Sequence, residues 1–327
     1  MKVTLPDLRQ QTTKALLHYG YTPAEAQVIQ DVLLYAQLRG NNQGIVKLIG
    51  AGIPKNKAAQ SPTIVKDTPV SALFDGNNTH AMLVMDEMVK TAIKKAQTSG
   101  VGIVGNFHTA ESTGALGYYV NRITQQGLIG IAYASAPFQT TAPHGSVEAL
   151  FCTNPMAYGI PTQDQPIVLD MSTSAIAYYG LIEAKTANHT VAAGLGYNNQ
   201  GQPTQNPAEI MSGAIKTFGG HKGSGLALMV QIFAGALVQA DSFNSDSDNA
   251  GNVVMAIDPE ILTTRAAFTK EVSSIIKRVK SAKKAEGVTE IMIPGEKSSA
   301  FQAAVEKANH IDVEDNLWAE LQKVATR

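Results

Sequence analysis

Apolar residues recur at helical spacing over the first forty positions of the chain. Leu8 and Leu16 belong to a periodic pattern that predicts a helix over residues 5–19. The Thr-Pro-Ala-Glu stretch at 22–25 has the composition of a capping box with proline at the first helical position. It predicts a second helix that runs to Gly40. Together the two helices indicate a small N-terminal helical unit.

Short apolar or alternating runs predict strands in the remaining chain, and longer periodic runs predict helices. The predicted strands cover 63–75, 100–105, 128–134, 167–169, 253–257 and 290–293. The predicted helices cover 80–98, 114–126, 172–187 and 264–285, followed by two closing helices. Polar, turn-rich stretches at 198–213 and 243–251 predict surface loops, and we expect the second to be mobile.

The order of these elements decides the fold class. Strands and helices mingle, but without the regular alternation of a doubly wound sheet. We therefore expect an α+β protein with a mixed or antiparallel sheet, helices on its faces and a helical subdomain. The predicted division is a helical subdomain with an edge strand at 1–75 and 297–327, and a sheet-containing domain at 76–296.

Composition narrows the class of protein. Hydrophobic residues make up 44% of the 327 positions and charged residues only 16%, which indicates a compact protein that buries some surface in an oligomer. The net charge of −1 favours neither nucleic acid nor a membrane as a partner. The single cysteine, Cys152, excludes an internal disulfide and fits a reducing compartment. With no signal-peptide pattern at the start, we expect a cytoplasmic protein.

A glycine-rich turn stands directly before an apolar helical run. Four glycines fall within the seven residues Gly219–Gly225, which also contain Lys222. Such a turn leaves backbone N–H groups free at the positive end of a helix, which suits a phosphate or pyrophosphate. The P-loop pattern fails because Gly223 follows the lysine, and the dinucleotide fingerprint lacks its preceding strand. A flexible loop that caps a core helix is an equal alternative on spacing alone.

Nine stretches spread over the chain share their residues and their order with one enzyme family. The stretches are Gly100–Gly102, Gly117–Tyr119, Gly127–Ala132, Ala142–Gly145, Thr153–Pro155, Leu169–Ser174, Gly219–Gly223, Ala256–Glu260 and Pro294–Glu296. In these stretches the chain resembles the malate/L-lactate dehydrogenase family of NAD(P)-dependent oxidoreductases. That family also contains ureidoglycolate, sulfolactate and diketogulonate dehydrogenases and cyclic-imine reductases, and its fold is unrelated to the Rossmann dehydrogenases.

The resemblance implies a fold, a cofactor and an assembly. It implies a mostly antiparallel sheet domain, a nicotinamide site that is not Rossmann-like, and a homodimer. The cofactor, NAD or NADP, would contact three segments. The residues concerned are Asp170, Met171, Ser172, Thr173, Ser174, His221, Lys222, Gly295 and Glu296. The charge of Lys222 and the groups at a helix start suit a pyrophosphate.

The chain departs from the family where the usual acid–base group should stand. A Ser-His-Gly triplet is expected after the second helix, with an arginine four residues after the histidine. Gln43 occupies the histidine position and Lys47 the arginine position. Lys47 keeps the charge for a substrate carboxylate but lacks the fork of a guanidinium. Gln43 can donate a hydrogen bond to a carbonyl oxygen, but it cannot exchange a proton near neutral pH.

A second family histidine, expected before Gly117, is also displaced. The loop is one residue longer here and puts Glu111 or Ser112 at that position. His108, in the same loop, is the preferred acid–base candidate, and His144 is the second. The third alternative is a branch that is slow, takes another substrate, or relays protons through water at Gln43. Of the other histidines, His18, His80, His189 and His310 are expected at the surface.

These residues predict an NAD(P)-dependent oxidoreductase that interconverts a small 2-oxo acid, or a related imino acid, with its reduced form. Lys47 would bind the substrate carboxylate and Gln43 would hydrogen-bond the reacting group. The alternative function is a nicotinamide-binding family member with little or no turnover and a regulatory role. No spacing predicts a metal site, and no nucleophile elbow predicts a hydrolase.

Overall fold

The computed structural model describes residues 1–110, 112–243, 247 and 249–326. Its strands are β1 Lys2–Thr4, β2 Thr63–Asp67, β3 Ser71–Asp75, β4 Val101–Thr109, β5 Ile129–Ser135, β6 Thr141–Ala142, β7 Met156–Ile160, β8 Ile167–Met171, β9 Gly196–Tyr197, β10 Pro203–Thr204, β11 Ala214–Lys216, β12 Ala250–Ile257 and β13 His310–Asp312. Its α-helices are α1 Leu5–His18, α2 Pro23–Gln37, α3 Ala81–Ser99, α4 Leu116–Thr124, α5 Tyr178–Thr186, α6 Pro207–Ser212, α7 His221–Ala234, α8 Arg265–Lys280, α9 Glu296–Ala308 and α10 Asp315–Ala325.

A seven-stranded sheet forms the centre of the molecule. Its strand order is β2-β3-β4-β12-β5-β7-β8, and every neighbouring pair is antiparallel except β3 with β4. The predicted fold class, a mixed and mostly antiparallel sheet covered by helices, is therefore confirmed. Strand β8 closes one edge of the sheet, and this edge borders the candidate site.

Helices α3 and α4 pack directly on the sheet because glycines face them. A Cβ on Gly102 of β4 would lie 2.2 Å from the carbonyl oxygen of Ala92, and one on Gly159 of β7 would lie 2.7 Å from that of Val120. Any side chain at these positions would push the helix away. The helix faces turned inward are fully buried and carry Met85, Val89, Tyr119 and similar side chains into the main core.

The N- and C-terminal segments form one helical layer. The predicted capping box is present: Thr22 Oγ1 accepts from the Glu25 N–H while the Glu25 side chain accepts from the Thr22 N–H. Strand β1 pairs with β13, and α1 packs against α10. Strand β2 pairs with β3, and β3 pairs with β4 of the main sheet. The domain boundary predicted at residue 75 therefore falls between two neighbouring strands of one sheet.

Some predicted elements differ from the structure. The helix expected over 172–187 begins only at Tyr178, because the backbone before it pairs with neighbouring loops. Residues 198–213, predicted as a loop, contain strand β10 and helix α6. Strand β10 belongs to the small sheet β10-β9-β11-β6. Residues 290–293 form no strand. Of the segment predicted to be mobile, residues 244–246 and 248 lie outside the described residues, and Ala250 and Gly251 belong to β12.

Candidate active site

A cavity of about 1190 Å³ opens between the helical layer and edge strand β8. The segments of its wall include the end of α2 with the loop that follows, the loop after β4, the end of β8, the start of α5 and the turn before α9. The polar and charged side chains of interest on this wall are Tyr35, Arg39, Gln43, Ser112, Asp170, Ser172 and Tyr178. Its volume exceeds the about 300–1000 Å³ of typical small-molecule sites.

Gln43 lies on the cavity wall, in the loop that follows α2. Its backbone N–H donates to Asn41 Oδ1 at 2.9 Å, and its Nε2 donates to Asn42 Oδ1 at 3.3 Å. These local bonds hold the loop open rather than helical, as asparagine side chains commonly do. The structure thus places Gln43 where sequence analysis expected a group that reaches the substrate.

Lys47 lies behind the cavity wall and not on it. It belongs to the short 3₁₀ helix Ile45–Leu48 and is 1% exposed. Its Nζ donates to Ser112 Oγ at 2.8 Å and stands 3.3 Å from the centroid of the Tyr179 ring. Because Ser112 lines the cavity, its hydroxyl lies between the Lys47 ammonium group and the cavity.

His80 is buried beside this lysine, so the expectation of a surface position was wrong. It caps α3, where Nδ1 accepts from the Met82 N–H at 3.2 Å. Its Nε2 has no hydrogen-bond partner among the described residues. Burial, and secondarily the charge of Lys47, lowers the pKa of His80 to about 3. The His80 ring is therefore neutral at neutral pH, in an environment behind the cavity wall that excludes water.

The two histidines named as acid–base candidates lie away from the cavity wall. His108 ends β4 with its side chain 49% exposed, and its Nδ1 lies 3.2 Å from Asp75 Oδ1. His144 is exposed near the start of α7, with its ring centroid 6.1 Å from that of His221. Neither ring lines the cavity. The structure does not bring either histidine to Gln43.

The segment Asp170–Ser174 runs along the cavity edge and then turns inward. Asp170, Met171 and Ser172 line the cavity. Thr173 and Ser174 are buried, and their hydroxyls donate to backbone carbonyls, Thr173 to Asn154 and Ser174 to Ile176. Thr173 and Ser174 therefore fix the backbone, while Asp170, Met171 and Ser172 face the cavity.

The glycine-rich turn joins the same segment. The Phe218 N–H donates to the Thr173 carbonyl. This hydrogen bond places the turn before α7 next to the Asp170–Ser174 segment. Gly219 and Gly220 have φ of +57° and +62°, which favour glycine. His221 and Lys222 are exposed at the helix start, which has no side-chain cap. The N–H groups there point outward.

The third predicted cofactor segment closes the other end of β8. Gly295 has φ of +94°, caps α9 without a side-chain bond, and packs against Val168. It lines the cavity, whereas Glu296 does not. The Glu296 carboxylate pairs with Lys280 at 2.7 Å and accepts from the Ile293 N–H. Glu296 therefore holds the turn in shape.

Tyr35 and Arg39, which sequence analysis did not mark, form a polar corner with the predicted Asp170. The guanidinium carbon of Arg39 lies 3.8 Å from the centre of the Tyr35 ring, one helical turn earlier. Burial raises the pKa of Tyr35 to about 12, with Arg39 opposing the rise and Asp170 adding to it. The i, i+4 spacing just before the Gln43 loop was the available signal.

The residues fit a nicotinamide dinucleotide. The starts of α7 and α9 both lack side-chain caps, and glycines precede both, so phosphate oxygens could approach the backbone N–H groups. The cavity, which Gly295 and Asp170–Ser172 line, has room for the nicotinamide end and a small substrate. A nicotinamide bound there would supply hydride chemistry that no side chain provides.

Comparison with known proteins decides the family. The sequence model of the malate/L-lactate dehydrogenase family matches residues 3–322. The chain belongs to the malate/L-lactate dehydrogenase family. Membership makes it an oxidoreductase of the dehydrogenase type, as the sequence resemblance predicted.

Individual relatives agree with this assignment. The chain is 31% identical over 338 residues to the malate/(S)-sulfolactate dehydrogenase of Methanothermus fervidus, covering 99% of this chain and 97% of the relative. It is 31% identical over 282 residues to the Δ1-pyrroline-2-carboxylate/Δ1-piperideine-2-carboxylate reductase of Pseudomonas syringae pv. tomato, covering 79% of each. The malate dehydrogenase structure from Entamoeba histolytica shares the fold, with a TM-score of 0.90 at 24% identity, covering 100% of this chain and 97% of that one.

Proposed function

We propose that this protein transfers hydride between NAD or NADP and a small 2-oxo or 2-hydroxy acid, or a related imino acid. The observation that carries the proposal is one cavity in a member of this family, lined by two segments suited to a dinucleotide, at Asp170–Ser172 and Gly295, and backed by a buried lysine. The relatives named above act on malate, sulfolactate and cyclic imino acids, which supports this substrate class.

The residues divide into two groups by what they would bind. Lys47, acting with Ser112, would attract the substrate carboxylate, and Gln43 would donate to the reacting carbonyl or imine. Gly295, the Asp170–Ser174 segment and the His221-Lys222 pair would hold the cofactor. Their role is to fix the distance between nicotinamide and substrate, on which the rate depends steeply.

We also propose that the protein is a cytoplasmic homodimer in which α7 is covered by a second copy. The segment His221–Val238 is apolar and long enough to cross a membrane by composition alone, and 39% of it is buried. Leu228, Met229 and Ile232 form an exposed apolar stripe on it. Such a stripe beside a cofactor segment fits a protein–protein interface.

A second candidate function follows from Gln43. An amide in place of the usual imidazole supports a protein that binds the nicotinamide but turns over slowly or not at all, with a regulatory role. It would use the same cavity and the same cofactor segments.

One experiment separates the two functions. Purified protein is titrated with NADH and NADPH while cofactor fluorescence is followed, and a panel of 2-oxo acids and cyclic imines is then added. The proposed function predicts binding followed by oxidation of the cofactor with at least one acid. Binding without oxidation would favour the second function, and no binding of either cofactor would reject both.

A further inference from the structure

Asp170 is a carboxyl group on the cavity wall without a basic partner. It lies near the end of β8, and its Oδ2 accepts from the Gly117 N–H at 2.7 Å. No lysine, arginine or histidine of the described chain forms an ion pair or hydrogen bond with it. The carboxyl group is half-buried and lacks a basic partner, so its environment favours the neutral, protonated form.

The groups around Asp170 are few. From α2 comes the Tyr35 phenol, and just after α2 comes Arg39, stacked on the Tyr35 ring. From α4 comes the Gly117 amide, and from β7 the facing residue is Ala157. Burial raises the pKa of Asp170 to about 6, and the amide bond only partly opposes the rise. The group therefore exchanges protons close to neutral pH.

Tyr35 and Asp170 converge on one point of the wall. A Cβ placed on Gly117 would lie 3.1 Å from Asp170 Oδ2 and 3.3 Å from the Tyr35 hydroxyl oxygen. A side chain at position 117 would therefore crowd this corner. The Tyr35 hydroxyl has no hydrogen-bond partner among the described residues, so the corner presents two oxygens to whatever enters the cavity.

We propose that Asp170 is the acid–base residue of this enzyme and supplies the proton that the usual histidine would give. The proposal rests on the proposed hydride-transfer function. In reduction, the Asp170 O–H bond breaks and its proton forms the O–H bond on the substrate carbonyl oxygen. Hydride forms the C–H bond at the carbonyl carbon, and the C=O π pair moves to oxygen. The substrate is reduced, the nicotinamide is oxidised, and the Asp170 carboxylate regains a proton from water.

The other titratable groups near the cavity fit this role less well. Gln43 has no proton to exchange. His108 and His144 lie off the cavity wall, and Lys47 lies behind it. The Tyr35 hydroxyl lines the cavity, but its pKa of about 12 keeps its proton bound near neutral pH. Asp170 alone combines access to the cavity with a proton that leaves near neutral pH.

A purely structural role for Asp170 is the competing explanation. Helix α4 has no cap from its own N-cap residue, Ala115, and the Asp170 carboxylate supplies an acceptor at its second position. The Asp170→Asn variant separates the two roles, because its amide oxygen still accepts from Gly117 but carries no exchangeable acid proton. Asp258→Asn is the matched control, since Asp258 is a buried helix-capping carboxylate paired with Arg265.

The test measures cofactor affinity by fluorescence and kcat against pH in both directions. For the unmodified enzyme, kcat of reduction should fall, and kcat of oxidation rise, as pH increases through the pKa of Asp170. Asp170→Asn should lower kcat, measured at a cofactor concentration that the fluorescence titration shows to be saturating, by about 10²–10⁴-fold and remove this pH dependence. Asp258→Asn should keep the pH profile.

Infrared difference spectra between acid and neutral pH give a readout that does not depend on turnover. The carboxylic C=O band that disappears near pH 6 should be absent from Asp170→Asn. Turnover that survives in Asp170→Asn with an unchanged pH profile would overturn the acid role alone. An unmodified protein that binds the cofactor but oxidises it with no acid would overturn the proposed function, and this role with it.

Discussion

The ammonium group of Lys47 stands 3.3 Å from the centre of the Tyr179 ring. A cation over an aromatic face is worth about 2 kcal/mol when water is excluded, and Lys47 is almost fully buried. Tyr179 lies on α5, beside the small sheet. Lys47 lies on the short 3₁₀ helix that follows α2 of the helical layer. The contact therefore joins two parts of the fold behind the cavity and keeps a positive charge close to Ser112.

We expect Lys47→Met to weaken substrate binding without weakening cofactor binding. The variant keeps the volume of the side chain but removes the charge that the proposed carboxylate contact needs. Losing a hydrogen bond to a charged group costs about 1.5–3 kcal/mol, which corresponds to about a 10- to 150-fold rise in KM for the 2-oxo acid. Steady-state kinetics would give KM, and NADH fluorescence would give the cofactor affinity.

Lys95→Met is the control for this experiment. Lys95 is also largely buried, 13% exposed, but it pairs with Asp67 away from the cavity. It should leave KM unchanged. Equal KM values in the unmodified enzyme and Lys47→Met would show that the carboxylate binds elsewhere.

Replacing Gln43 by histidine should add a second titrating group to the pH profile. The position lies on the cavity wall, where a loop held by Asn41 and Asn42 presents its side chain. An imidazole there would change charge near its ordinary pKa of about 6.5. We expect kcat against pH to gain a step near that value, with Gln43→Asn as the control that keeps an amide. An unaltered profile in Gln43→His would place residue 43 too far from the reacting group.

The fold could be predicted from the sequence because its signals are local. The capping box at Thr22 and Glu25 and the apolar face of α3 both result from spacing along the chain, and the structure contains both. The glycines that let α3 and α4 approach the sheet had no such signal. Glycine is required there because backbone atoms of another element lie too close for a side chain, as Ala92 does opposite Gly102.

The site was harder to predict because its residues meet only in three dimensions. Sequence position marked Gln43, and the structure places it on the cavity wall. Position alone could not show that Lys47 is buried or that His108 turns to Asp75 at the surface. The raised pKa of Asp170 likewise depends on the protein that encloses it, which no local pattern records.

His80 should make the protein sensitive to acid. The pKa of His80 in the folded state, about 3, lies below its ordinary value of 6.5. Between these values the unfolded state binds a proton at His80 and the folded state does not, so acid favours unfolding. This contribution to stability is complete above pH 6.5 and is lost as pH falls toward 3. At about pH 4.5 the loss approaches about 3 kcal/mol. Chemical unfolding at several pH values would measure it.

His80→Asn tests this assignment. Asparagine is a good N-cap and can still accept from the Met82 N–H, so α3 should remain capped. The variant should lose less stability than the unmodified protein between pH 6.5 and 4.5, whatever its stability at neutral pH. His18→Asn, at an exposed position, should follow the unmodified protein. Parallel pH dependence in His80→Asn and the unmodified protein would contradict the assignment.

The exposed stripe on α7 should hold two copies together. Met229 is 46% exposed and Ile232 45%, next to each other on a helix whose opposite face packs on the sheet. Burying an unpaired glutamate there costs several kcal/mol, so Met229→Glu should raise the dimer dissociation constant by about 100-fold or more. Sedimentation over a range of concentrations would report it. Leu262→Glu, at a 92% exposed position outside α7, should leave the assembly unchanged. A Met229→Glu protein that sediments like the unmodified one would show that this face is not the interface.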